Sequence, residues 1–161
     1  MKVYIFRHAE KARALDSDPD LTDYGHQQAQ HLAQAVAKGL LDSPTLLVAS
    51  PKRRAQSTLR PLAQELGLDL KSDARLYERE NGESLEAFKK RIRDFLHEVE
   101  QQKINCLFLC SHYDWVVEAM GIIPSETDLG APAFMHWSPC QYASFKVEDG
   151  LYHLLAHNRI V

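Results

Sequence analysis

The sequence predicts an α/β fold: a three-layer α/β/α sandwich whose sheet is mostly parallel with an antiparallel edge. Short apolar runs alternate with longer segments whose apolar residues recur at helical spacing, the pattern of βα units in a parallel sheet. The last two apolar runs, 141–147 and 151–157, alternate in polarity on either side of Glu148-Asp149-Gly150, which predicts an antiparallel hairpin. The 161 residues, 45% hydrophobic and 25% charged, match one average globular domain, so we expect a single domain over 1–161.

The first half of the chain predicts two strand–helix pairs. Residues 3–6 are β-branched or aromatic and predict a short buried strand. Thr22 is a candidate N-cap for the helix that follows, which should end at Gly39. A strand at 45–49 and a helix at 52–66 come next. Pro61 should start, kink or split this second helix.

The second half continues the alternation, with less regular connections. Ser84 is a good N-cap for a long helix whose apolar residues share one face. The segment 121–139 holds three prolines and two glycines and should be irregular. The other expected elements are a weak strand at 70–76, the most apolar strand at 105–110 and a short helix at 115–120.

Charge and cysteine content exclude several classes of partner. The 19 basic and 22 acidic residues leave a net charge of −3, which offers no general attraction to nucleic acid or to an anionic membrane. No apolar stretch approaches the roughly 20 residues that a membrane-spanning helix needs. Three cysteines without a Cys-x-x-Cys pair suggest neither a disulfide framework nor a zinc ribbon. We therefore expect a cytoplasmic protein that binds no metal and no nucleic acid.

Basic and histidine side chains follow three of the predicted strands. The groups are Arg7 and His8 after the first strand, Lys52, Arg53 and Arg54 after the second, and His112 after the 105–110 strand. Ligands of parallel α/β sheets bind at the carboxyl ends of the strands, so these groups should converge. Each group alone would usually be a solvated surface feature. Together they predict a phosphate site, because guanidinium groups match phosphoryl oxygens and a nearby imidazole can attack phosphorus.

Four blocks of the sequence are similar to the motifs of the histidine phosphatase superfamily, which contains the phosphoglycerate mutases. They occur in the family's order and span most of the chain: Phe6-Arg7-His8-Ala9-Glu10, Leu21-Thr22-x-x-Gly25-x-x-Gln28-Ala29, Ser50-Pro51-x-x-Arg54-Ala55-x-Ser57-Thr58 and Cys110-Ser111-His112. The resemblance implies a phosphoglycerate mutase-like fold. It implies a metal-independent phosphatase without a cofactor, in which His8 becomes a phosphohistidine intermediate. It also implies that Arg7, Arg54 and His112 bind the phosphoryl group.

The departure of an alcohol requires a proton donor, and three carboxyl groups are candidates. Leu76-Tyr77-Glu78-Arg79 resembles the acid-bearing segment of the mutase-like members, so Glu78 is the first choice. Glu83, in a Gly-Glu-Ser-Leu element that also resembles the family, is the second. Asp114 is the third, since another branch takes its acid from an Asp directly after the second histidine, but Tyr113 intervenes here.

The substrate class stays open at this point. The chain lacks the insertion between Arg79 and Gly82 with which mutases cover their substrate, and its short length resembles the SixA-type phosphohistidine phosphatases. A retained acid fits small phosphomonoesters better, so both phosphorylated small molecules and phosphohistidine proteins are candidate partners. Two other interpretations remain: a phosphoglycerate mutase-like isomerase and a non-catalytic phosphate-binding module.

Overall fold

The computed structural model describes residues 1–160, which form six strands in one sheet and four α-helices. The elements are β1 (Lys2–Arg7), α1 (Asp23–Ala37), β2 (Leu46–Ala49), α2 (Arg53–Leu66), β3 (Leu70–Ser72), α3 (Leu85–Gln101), β4 (Cys106–Ser111), α4 (Tyr113–Ile122), β5 (Gln141–Glu148) and β6 (Leu151–Arg159). Two short 3₁₀ helices lie at Ala74–Leu76 and Pro132–Phe134. The strand order across the sheet is β3-β2-β4-β1-β5-β6.

The sheet is parallel over four strands and antiparallel at one edge. β4 pairs in parallel with both β1 and β2, and β2 pairs in parallel with β3. β5 runs antiparallel to β1, and β6 returns antiparallel to β5 with a register shift between Ser144 and Phe145. The predicted mixed sheet and its terminal hairpin are therefore confirmed.

Both faces of the sheet are buried under helices because alternate side chains of each strand point to opposite faces. On one face, Leu32 of α1 belongs to the same buried cluster as Phe6 of β1. On the other face, Trp115 of α4 lies in a cluster with Ile5 of β1. Helices α2 and α3 complete these two clusters, so the three-layer α/β/α prediction is confirmed.

The strand predicted at 70–76 is only partly right. β3 ends at Ser72, and a 3₁₀ helix follows because the Asp73 side chain accepts a hydrogen bond from the Arg75 amide. The helix predicted at 115–120 begins two residues earlier, at Tyr113, directly after His112. Its early start is stabilised by Asp114, whose carboxylate lies in the first turn, where the helix dipole favours negative charge.

Pro61 neither starts nor splits its helix. α2 continues from Arg53 to Leu66 with Pro61 inside it, although an interior proline costs a helix about 3 kcal/mol. The neighbouring Leu59 and Leu62 are completely buried against the sheet. We attribute the continuity of the helix to this packing, which outweighs the local preference.

None of the helices within residues 1–160 is both long enough and apolar enough to cross a membrane.

Candidate active site

The register of the sheet brings the predicted site residues together at the carboxyl ends of the parallel strands. Arg7, the last residue of β1, is paired with Ser111, the last residue of β4. The His8 amide then donates a hydrogen bond to the Ser111 carbonyl at 3.0 Å, so the two histidines that follow these strands are neighbours. The ring centroids of His8 and His112 lie 5.4 Å apart.

The imidazole of His8 has one defined tautomer. Nδ1 lies 2.7 Å from the carbonyl oxygen of Ala9, and Nε2 lies 3.3 Å from Nε of Arg54. A carbonyl only accepts and a guanidinium only donates, so Nδ1 carries the proton and Nε2 keeps its lone pair. The residue is 4% exposed, and burial lowers the pKa of His8 to about 3. His8 is therefore a neutral imidazole at neutral pH.

Arg54 joins His8 to Glu78. Besides its Nε contact with His8, its Nη2 donates to both carboxylate oxygens of Glu78, at 3.1 and 3.2 Å. Its Nη1 lies 4.0 Å from Asp18, in the loop before α1. The Arg54 side chain is 5% exposed, whereas 43% of the Glu78 side chain is exposed. A buried guanidinium thus lies between an imidazole and a carboxylate that can be reached from solvent.

His112 is oriented by Ser50, the residue directly after β2. Nε2 of His112 lies 2.8 Å from the Ser50 hydroxyl, and Nδ1 is buried without a hydrogen-bond partner among residues 1–160. Burial, followed by the charge of Arg54, lowers the pKa of His112 to about 2. Ser50 belongs to the third motif, but nothing else in the sequence predicts its contact with His112.

Arg7 lies close enough to His8 and Arg54 for the charges to interact. Its Nη1 donates to the Trp137 carbonyl, and its guanidinium lies 5.4 Å from the centre of the Tyr113 ring. Its Nε is buried and lacks a hydrogen-bond partner within the described chain. Burial lowers the pKa of Arg7 from its ordinary value, but an arginine stays charged at neutral pH. The site therefore contains two cations and two neutral imidazoles.

A second motif residue, Thr58, holds the segment after His8. Its hydroxyl accepts from the Ala9 amide at 2.9 Å and donates to the Arg54 carbonyl at 2.7 Å. Two residues of α1 hold the next position: Gln28 accepts a hydrogen bond from the Glu10 amide, and Gly25 packs directly against the Glu10 carbonyl. The residues of the second and third motifs therefore fix the backbone that carries the His8 ring.

Glu78 lies beside a cavity of about 500 Å³, lined by Lys52 and by residues 77–81. Among the three candidate acids, Glu78 is the one that contacts Arg54. Glu83 instead binds Arg91 through both oxygens, at 2.7 and 2.9 Å. Asp114 accepts hydrogen bonds from the backbone amides of Arg79 and Trp115. The structure thus brings Arg7, His8, Arg54, His112 and Glu78 together, and it places Glu83 and Asp114 on other partners.

Within residues 1–160, no group of three or more histidine, cysteine or carboxylate side chains is arranged to hold a metal ion. The three cysteines, at positions 106, 110 and 140, are free and buried.

A family model for the histidine phosphatase superfamily (branch 1) matches residues 3–83, which include Arg7, His8, Arg54 and Glu78. The chain belongs to this superfamily. It is a phosphatase of the histidine phosphatase type. The prediction of the family from its four motifs is therefore confirmed.

Two relatives are similar to this chain in sequence, and a solved structure is similar to it in fold. A protein of Hydrogenobacter thermophilus provisionally named phosphoserine phosphatase 2 is 27% identical, over 69% of this chain and 72% of the relative. A phosphohistidine phosphatase SixA homologue of Haemophilus influenzae is also 27% identical, over 73% of this chain and 74% of the relative. The structure of the protein histidine phosphatase SixA complexed with tungstate superimposes with a TM-score of 0.79 at 18% identity, covering 99% of this chain and 97% of that one. The predicted phosphoglycerate mutase-like fold is confirmed.

Proposed function

We propose that this histidine phosphatase works through a covalent phosphohistidine on Nε2 of His8. The observation that carries the proposal is the fixed tautomer of His8: Nδ1–H is bound to the Ala9 carbonyl, so the lone pair of Nε2 faces the Arg54 guanidinium. A neutral, oriented imidazole beside a cation is the arrangement that nucleophilic attack on an anionic phosphoryl group requires.

Two orphaned polar atoms support the binding of a phosphoryl group beside His8. Nε of Arg7 and Nδ1 of His112 are buried and unpartnered among residues 1–160, which costs about 1–3 kcal/mol for each group. The Ser50 hydroxyl can donate to Nε2 of His112, and Nδ1–H is then free to donate outward. Phosphoryl oxygens would satisfy both atoms, with Arg54 as a third donor. Arg7, Arg54 and His112 are therefore the proposed phosphoryl-binding residues.

The proposed reaction has two displacements at phosphorus. The lone pair of Nε2 forms a P–N bond while the bond to the leaving oxygen breaks, and that oxygen takes a proton from Glu78. A water molecule then attacks phosphorus and gives a proton to the Glu78 carboxylate, and the P–N bond breaks to restore His8. Inorganic phosphate leaves with the proton that Glu78 took from water, and the enzyme regains its starting state without a metal or cofactor.

Glu78 is the proposed acid because its carboxylate lies on Arg54, next to the phosphoryl site, and is partly exposed to the cavity. In the ligand-free enzyme the two carboxylate oxygens of Glu78 accept hydrogen bonds from Nη2 of Arg54, as the oxygens of an ionised carboxylate do. The first proton can enter with the substrate, since phosphate monoesters have a second pKa of about 6. Arg54 can then exchange Glu78 for a phosphoryl oxygen.

Phosphomonoesters are the substrate class that this site supports best, because alkoxide leaving groups need an acid and phosphohistidine does not. Protein phosphohistidine is the second candidate, supported by the SixA relative that matches 73% of this chain. We retain a cytoplasmic location as part of the proposal because the three cysteines are free, the state typical of reducing compartments.

Turnover assays with a His8→Ala variant test the proposal. The wild-type enzyme should hydrolyse 4-nitrophenyl phosphate in the presence of a chelator, and the variant should lose about 10³-fold or more in kcat. His26→Ala replaces an exposed histidine on α1 and should retain full activity. Parallel assays with alkyl phosphates, a phosphoglycerate and a phosphohistidine protein assign the substrate class. An active His8→Ala variant, or a wild-type enzyme that only isomerises or only binds phosphate, would contradict the proposal.

A further inference from the structure

The residues around Glu78 have no regular secondary structure beyond a single 3₁₀ turn, yet side chains hold their backbone at every position from 75 to 79. Four backbone carbonyls accept hydrogen bonds from side chains: Arg75 from Trp115 Nε1 at 2.8 Å, Leu76 from Ser111 Oγ at 2.6 Å, and Tyr77 and Glu78 from Arg91 at 2.7 and 2.8 Å. The backbone amide of Arg79 donates to the Asp114 carboxylate at 2.8 Å. We call residues 75–83 the Glu78 segment. Its conformation is set by side chains from β4, α3 and α4.

Arg91, on α3, makes more bonds to this backbone than any other side chain. Its Nη1 donates to the carbonyls of Arg75 and Tyr77, and its Nη2 donates to the carbonyl of Glu78. Its Nε and Nη2 also donate to the two carboxylate oxygens of Glu83, at the far end of the segment. All five N–H groups are therefore used. The Arg91 and Glu83 side chains are 18% and 16% exposed, so water competes weakly for these bonds.

We infer that Arg91 is a positioning residue for the acid, and that Glu83 acts by holding Arg91. This inference rests on the proposed role of Glu78. The Arg91 guanidinium fixes the backbone carbonyl of Glu78, and the carboxylate of the same residue contacts Arg54. A misplacement of an acid by about 1 Å lowers catalysis strongly, because proton transfer requires hydrogen-bond distance.

The sequence singled out Glu83 and Asp114 as alternative acids, and this arrangement accounts for both. Glu83 pairs with Arg91, and the guanidinium holds the pKa of its carboxyl below its usual value. Asp114 holds the Arg79 amide at the other end of the Glu78 backbone. Both carboxylates therefore shape the segment that carries the acid, and neither is placed to deliver a proton itself.

A purely stabilising role for Arg91 would have a different kinetic signature. A general loosening of the site would slow all substrates alike. A displaced acid slows only substrates whose leaving oxygen needs protonation. The dependence of kcat/KM on the leaving-group pKa, measured over a series of aryl and alkyl phosphates, separates these two roles.

We therefore compare Arg91→Gln, Glu78→Gln and the double variant Arg91→Gln/Glu78→Gln over that series. Arg91→Gln should lose about 10- to 100-fold in kcat/KM with alkyl phosphates and less than about 3-fold with 4-nitrophenyl phosphate. The double variant should be no slower than Glu78→Gln alone, because both changes remove the same function. Arg93→Gln, an exposed arginine on the same helix, is the matched control and should behave like the wild type.

Glu83→Gln leaves Arg91 and its three carbonyl contacts in place. It is the variant that tests the positioning role if Arg91→Gln fails to fold. It should reproduce the loss selective for alkyl phosphates, but more weakly. An equal loss with aryl and alkyl phosphates in either variant, or a double variant that multiplies the two single losses, would overturn the positioning role. If Glu78→Gln itself shows no leaving-group selectivity, the acid assignment has failed, and that result is read independently of Arg91.

Discussion

Nε of Arg54 lies 3.3 Å from Nε2 of His8 and donates a hydrogen bond to the lone pair that would attack phosphorus. The same guanidinium binds Glu78 through Nη2. Phosphorylation of Nε2 would remove this acceptor, and Nε of Arg54 would then need a phosphoryl oxygen as its new partner. Arg54 is therefore arranged to orient the free imidazole and afterwards to bind the transferred group.

Arg54→Lys should lower kcat/KM by about 10²- to 10³-fold, because an ammonium group cannot contact His8, Glu78 and a phosphoryl oxygen in the fixed geometry of a guanidinium. The loss should be large for aryl phosphates as well as for alkyl phosphates, since Arg54 acts on the phosphoryl group itself. Arg53→Lys, at the exposed neighbouring position, is the control. Steady-state kinetics on both substrate classes measure the effect, and a loss under about 3-fold would contradict the role of Arg54.

Stability should fall as the pH falls below about 6.5, because His8 and His112 stay neutral in the folded state. Burial lowers their pKa values to about 3 and about 2, whereas an unfolded histidine has a pKa of about 6.5. Below pH 6.5 the unfolded chain binds protons that the folded protein does not. Each histidine thus stabilises the fold above pH 6.5, and this contribution is lost as the pH falls towards 3.

Lowering the pH from 7 to 5 should reduce the free energy of unfolding by about 2 kcal/mol for each of these histidines. Urea unfolding of the wild type, compared with the double variant His8→Gln/His112→Gln, measures this part of the pH dependence. The double variant should show a flatter profile, and His26→Gln, at an exposed position, should follow the wild type. Parallel profiles for the wild type and the double variant would show that the buried histidines titrate normally.

Much of the site could be predicted because its residues lie at strand ends. Arg7, His8 and His112 follow adjacent parallel strands, and the register of β1 with β4 brings them together. Arg54 lies in the first turn of the helix after β2, so its placement follows from the same topology. The positions of arginine and histidine at or shortly after the strand ends therefore predicted most of the geometry of the site.

The resemblance made Glu78 the first choice of acid, but the contacts that separate it from Glu83 and Asp114 could not be predicted from the sequence. All three are carboxylates in or next to loops, so residue type and local composition do not distinguish them. Their roles differ through partners that are remote in sequence: Arg54 for Glu78, and Arg91 for Glu83. Propensity and periodicity predict single helices and strands. They do not predict which side chains of different helices and loops contact one another in the folded protein.

Gly25→Ala should destabilise the protein, because a Cβ at this position would lie 2.2 Å from the backbone oxygen of Glu10. Relieving that overlap requires a backbone shift in the segment that follows His8, with a cost of about 1–3 kcal/mol and a lower kcat. Gly121→Ala is the matched control: it adds the same methyl group in α4, where a Cβ meets nothing within 4 Å. That change should stabilise the protein by up to about 1 kcal/mol.

Urea unfolding and steady-state kinetics on the two alanine variants test this contact. The free energy of unfolding should fall in Gly25→Ala and rise in Gly121→Ala. A Gly25→Ala variant as stable and as active as the wild type would show that the Glu10 backbone adapts without disturbing His8.

The most direct test of the central claim is to trap the covalent intermediate during turnover. The wild-type enzyme, mixed with 4-nitrophenyl phosphate and quenched within milliseconds under alkaline conditions, should contain one added phosphoryl group on the peptide that includes His8, detected by mass spectrometry. The His8→Ala enzyme should contain none. A phosphoryl group on another residue, or rapid hydrolysis by the His8→Ala enzyme, would contradict the account.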